Sequence, residues 1–202
     1  MKHDSLIRSE VKLAEHLRTE DPVGVCVQAF ENGHRERTMH AILTQLGADR
    51  SGMLLEDQKR QARIILYGHS RSGSAMVELA RKLEKSRILE LLAVQVDGLR
   101  RSGVDDRVIP PNIARAANGD PPDGMVHEEI RAADPSEILA NFCFEYKQHP
   151  IHCPEYPWYD WSFAKTHTQV ACDPAVWSRV EAPFRQQIAP ASAKQDRVYG
   201  YI

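Results

Sequence analysis

No run of apolar residues in this 202-residue sequence approaches the roughly 20 needed to cross a bilayer as a helix. Neither sign of charge predominates. With 26 basic and 28 acidic residues the formal net charge is −2, which gives no field to gather nucleic acid or an anionic membrane surface. Glycine and proline, 11 and 12, are too few for a collagen-like or low-complexity chain. The four cysteines, at 26, 143, 153 and 172, form no Cys-x-x-Cys pair and no zinc-like spacing. The opening Met-Lys-His-Asp-Ser-Leu-Ile-Arg lacks the apolar core of a secretory signal, so the default expectation is the cytoplasm. What is present, 42% hydrophobic positions over a length suited to one domain, is enough for a sizeable core.

The apolar positions alternate between two periods. Leu6, Ile7, Val11, Leu13, Ala14 and Leu17 follow the candidate caps Asp4 and Ser5 at helical spacing and predict a helix over 5–18. Asp21-Pro22 stops it, and residues 23–30 read as a buried strand ended by Asn32-Gly33. Met39, Ile42, Leu43 and Leu46 mark a second helix, 63–67 a short apolar strand, and Ala75 to Leu83 a third helix. Residues 89–96 form the next strand and close on Asp97-Gly98. This alternation predicts an α/β fold: a doubly wound, mostly parallel sheet with helices on both faces, in three layers. Beyond residue 100 the signals are weaker. Pro110-Pro111 opens a short helix through Asn118, Asp120–Gly124 is a turn-rich loop, and 137–146 is a mixed apolar segment. Tyr156 to Trp161 form an aromatic loop, Lys165-Thr-His-Thr168 a short polar loop, and Asp173-Pro174 starts a last helix that Pro183 should kink or shorten.

The chemistry concentrates at Gly68-His69-Ser70-Arg71-Ser72, which joins a buried strand directly to a helix. A serine on such a sharp turn stands at the carboxyl edge of the sheet, with helix N–H groups behind it for a developing oxyanion. The competing reading is a helix N-cap serine. Gly68 and Gly73 also have the spacing of a phosphate-cradling loop, but Ser74 and Ala75 stand where the required lysine and hydroxyl residue would be. A nucleophilic serine needs a base and the base an orienting carboxylate, in the chain order serine, acid, histidine. His167, late in the chain, is the candidate base; His149 and His152 read as loop histidines. Two acids compete: Asp97 at a strand end, preferred for its rigidity, and Asp106 in the following loop.

The stretch Ile64-Ile-Leu-Tyr-Gly-His-Ser70, the helix after it and Val94-Gln-Val-Asp97 together resemble the α/β-hydrolase superfamily, above all its bacterial lipase- and thioesterase-like members. The resemblance runs from the first helix to the last, and the elbow is its one sharp motif. It implies a serine hydrolase acting on an ester or thioester of a small-molecule or lipid-like acyl substrate. Ser70 would be the nucleophile, His167 the base, Asp97 or Asp106 the acid, and the Arg71 backbone N–H one oxyanion donor, with no cofactor or metal. The sequence departs from the family in two places. Ser72 stands where a glycine is usual, and the chain begins almost at the first helix, so the family's preceding strand and glycine-bearing oxyanion loop are expected to be missing from a single domain over 1–202. Loss of one such donor typically costs about 10²–10³ in turnover. A non-catalytic binding module of the same architecture is the alternative.

Three further features complete the reading. Cys26, inside an apolar run, reads as a small core residue, and Cys153 and Cys172 flank the aromatic loop that they could bridge in an oxidising compartment. The aromatic loop could cover an acyl pocket. Asp49-Arg-Ser-Gly52-Met-Leu54 has the order of the middle of a calcium loop, but Gly47 and Gln58 occupy the positions that supply its charge and clamp, so it reads as a solvated turn.

Overall fold

The architecture follows from which way consecutive strand residues face. Ile65 and Tyr67 join one hydrophobic cluster, and Ile64 and Leu66 join the other. A computed structural model describes residues 9–20, 25–30, 33–99, 102–121, 129–146, 151, 165–192 and 198–201. In chain order the elements are α1 (Ser9–Glu20), β1 (Val25–Gln28), α2 (Arg35–Gln45), α3 (Glu56–Arg60), β2 (Ile64–His69), α4 (Arg71–Lys85), β3 (Glu90–Val96), β4 (Val108–Ile109) and β5 (Ile113–Asp120). They continue with β6 (Arg131–Ala132), β7 (Glu137–Cys143), α5 (Lys165–Cys172), α6 (Pro174–Ser192) and β8 (Val198–Tyr201).

Six strands form one sheet in the order β1-β8-β2-β3-β5-β7, and every pairing in it is parallel. β2 is buried along its whole length and β3 nearly so, as expected of central strands covered on both faces. On one face lie Leu13, Ala14 and Leu17 of α1 with Val176, Val180, Phe184 and Ile188 of α6. On the other lie Ile42 of α2 and Met76, Val77, Leu79, Ala80 and Leu83 of α4. The chain travels one way across the sheet through α2 and α4 and returns through α5 and α6. Right-handed crossovers put opposite directions of travel on opposite faces, which gives the three layers. The α/β class and the doubly wound arrangement are therefore present.

Several local expectations are corrected. Ile113–Asp120 is a strand between β3 and β7, where Pro110-Pro111 suggested a helix through Asn118. The segment is rich in small residues, and in the sheet these are useful: Ala116 and Ala117 are buried, and a Cβ on Gly119 would lie 2.8 Å from the Phe144 ring. Packing overrides the local helical preference of alanine here. Lys165–Cys172 is a helix rather than a polar loop, and Pro183 does not shorten α6, which continues to Ser192. Cys26 is half-buried and free rather than fully in the core. Residues 1–8 lie outside the described residues, as do His149, His152, Cys153 and the aromatic loop.

Candidate functional site

Because the sheet is parallel, the carboxyl ends of β2, β3, β5 and β7 share one edge. The register pairs His69 with Val96, so Ser70 and Asp97 leave neighbouring strands side by side. Both residues have positive φ, 58° and 45°. Ser70, at ψ −129°, occupies a region that costs a non-glycine residue about 1–3 kcal/mol. Its backbone is held there from both sides. Its N–H donates to Val96 O at 2.9 Å, and its carbonyl accepts from Leu99 N and Gly73 N, each at 3.1 Å. The turn is tight enough that Gly68 has no substitute: a Cβ there would lie 2.5 Å from the Ser72 carbonyl oxygen. Gly73 likewise faces Gln95, with a Cβ position 3.0 Å from its Cγ. Close packing of strand and helix thus accounts for both glycines of the phosphate-loop spacing.

Ser70 does stand at the N-cap position of α4, but its hydroxyl makes no capping hydrogen bond to that helix. Arg71 is the first residue of that helix, and its N–H belongs to the first turn, where the helix itself supplies no acceptor.

The two candidate acids separate clearly. Asp97 is buried, its N–H donates to Gly119 O at 2.7 Å, and its Oδ2 accepts from Nδ1 of His167 on α5. Asp106 is also buried, but its carboxylate meets the Ser74 hydroxyl of α4. Binding Nδ1–H to a carboxylate leaves Nε2 of the half-buried His167 as the basic nitrogen. Among the described residues, Asp97 is the hydrogen-bond partner of His167, and the Ser70 hydroxyl has none.

The position of His167 depends on the corner between α5 and α6. Asp173 caps α6 by accepting from Ala175 N at 2.8 Å, with Pro174 at the first helical position. The Tyr146 hydroxyl donates to the other carboxylate oxygen at 2.9 Å. Burial raises the Tyr146 pKa, and the Asp173 hydrogen bond and charge raise it further, with Asp97 adding a smaller push, so the phenol stays a donor. Trp177 Nε1 donates to Ala171 O at 2.9 Å, and its ring packs 5.8 Å from that of Tyr67 on β2. Cys172, the last residue of α5, is disulfide-bonded, whereas Cys26 and Cys143 are free.

Sequence reasoning missed one part of the site. His69, the residue before the serine, stacks on His167 with ring centroids 4.8 Å apart and planes at 12°. Its Nδ1 meets Glu10 Oε1 of α1 at 2.6 Å. Glu10 lies 59 positions earlier in the chain, too far for any local pattern to flag. His69, Asp97 and His167 are the group among the described residues with ligand atoms close enough for a metal ion, within 4.8 Å of one another. Near-parallel rings, however, hold their in-plane lone pairs side by side rather than converging on one point. Both Nδ1 atoms already face carboxylates. The calcium-like turn is similarly self-contained: Asp49 Oδ1 accepts from Ser51 N, Ser51 Oγ and Met53 N, and these bonds, the Ser51 hydroxyl first, hold its pKa down.

No family model, no curated protein and no solved structure matches this chain.

Proposed function

We propose that this chain is a serine hydrolase of α/β-hydrolase type that cleaves an ester or thioester. The observation that supports this most strongly is the pair of buried Asp97 and half-buried His167 beside a serine held at positive φ with its hydroxyl uncommitted to capping. A strained residue kept in place by hydrogen bonds from two neighbouring elements is a common mark of a functional position.

In this reading Ser70 Oγ attacks the acyl carbon while His167 Nε2 takes its proton, and Asp97 stabilises the imidazolium that forms. The carbonyl electrons move to the oxygen, where the Arg71 N–H donates to the resulting oxyanion. Collapse breaks the bond to the leaving alcohol or thiol, which takes the proton from His167. Water, deprotonated by the same imidazole, then hydrolyses the acyl-enzyme. Serine–histidine hydrogen bonds of this kind are often long without substrate and tighten only once it is bound.

Reaction with a fluorophosphonate followed by peptide mass spectrometry tests the proposal. Ser70 is expected to carry the adduct, with labelling abolished in Ser70→Ala and reduced at least about 10³-fold in His167→Ala. A folded wild-type protein with an unmodified Ser70 would refute the reading and favour the non-catalytic module.

A further inference from the structure

The geometry points to His69 and Glu10 as a positioning pair for His167. The inference rests on the hydrolase reading and extends it to residues outside the serine, histidine and acid. A single hydrogen bond from Nδ1 to Asp97 fixes one end of the His167 ring but leaves it free to swing about that bond. The face of His69, 4.8 Å away and tilted by 12°, removes that freedom. His69 is itself constrained twice. Its backbone is the last residue of β2, and its Nδ1 is held by Glu10 from α1 on the same face of the sheet as α6. A buried imidazole with its edge tied to a carboxylate is a firmer wall than an aliphatic side chain, which could shift between rotamers.

The arrangement therefore sets the plane of the base from two directions, one carboxylate in the ring plane and one ring across its face. The direction of the Nε2 lone pair follows from that plane, and proton abstraction from Ser70 depends on it. A misplacement of about 1 Å in such a constellation costs about 100-fold in rate.

Phosphonylation kinetics of the full chain test the inference. In His69→Ala the limiting rate of Ser70 labelling is expected to fall about 10- to 100-fold, with the half-saturating probe concentration unchanged. His69→Phe retains a ring face without the link to Glu10 and is expected to recover most of the lost rate. Glu10→Ala, a change on a partly exposed helix that spares the core, is expected to lose about 3- to 10-fold. Wild-type labelling rates in both His69→Ala and Glu10→Ala would overturn the positioning role while leaving the hydrolase reading intact. So would a failure of His69→Phe to exceed His69→Ala in folded protein. A wild-type chain that does not label at all removes both readings together.

Discussion

Ser70 is the residue at which backbone stability and the proposed chemistry oppose each other. Its backbone, at φ 58° and ψ −129°, suits glycine better than any residue with a Cβ. Ser70→Gly should therefore be more stable than Ser70→Ala by about 1 kcal/mol, although neither can label. Urea unfolding of the two variants checks this, and equal midpoints would show that the turn holds no strain. The serine and its glycine-flanked turn are legible in the sequence because the signal is local: a buried strand, a tripeptide and a helix start within a dozen residues. The acid of the proposed triad is only partly legible. Asp97 and Asp106 are nine positions apart and both buried, and what separates them is the side chain each one meets, His167 or Ser74.

At the scale of elements, the corner between α5 and α6 carries His167 to the sheet edge. Asp173 is the hinge pin: one carboxylate oxygen caps α6, and the other accepts from Tyr146 at the end of the β7 segment. Tyr146→Phe leaves that buried carboxylate short of a donor and should cost about 1.5–3 kcal/mol, the usual range for a hydrogen bond to a charged group. Denaturant unfolding measures the loss. A parallel fall in the Ser70 labelling rate would show that the corner also positions the base. The cap itself was readable from Asp173-Pro174, since N-cap and N1 preferences are local. The helix Lys165–Cys172 was not, because its eight residues offer no long apolar stripe and its buried positions, Thr168 to Ala171, include two polar side chains.

For the molecule as a whole, the sheet has a polar carboxyl edge bearing the site and a second buried polar group at its opposite edge. Glu90, the first residue of β3, is fully buried; its Oε1 accepts from Asn112 Nδ2 at 2.9 Å, and its Oε2 has no partner among the described residues. Burial raises its pKa well above the ordinary 4.5, an effect only partly offset by Asn112. The folded protein therefore holds a proton that the unfolded chain releases, and stability falls as the pH rises above about 4.5 towards the raised pKa. Glu90→Gln should remove this decline and make the protein more stable than wild type at pH 8. Thermal melts across pH 4–8 measure it, and parallel curves for the two proteins would count against a protonated Glu90.

Periodicity and turn chemistry determined the α/β class, α1, β1, α2, β2, α4, β3 and the serine turn, but not the wholly polar α3. Apolar spacing and turn chemistry act within a few residues and need no knowledge of partners. The tertiary structure decided which strands neighbour which, placing the last strand, β8, between β1 and β2 and turning an alanine-rich segment into β5. It also decided which carboxylate serves which histidine. Asp97 meets His167 across 70 positions and Glu10 meets His69 across 59, contacts that exist only once the sheet has gathered its carboxyl ends on one edge.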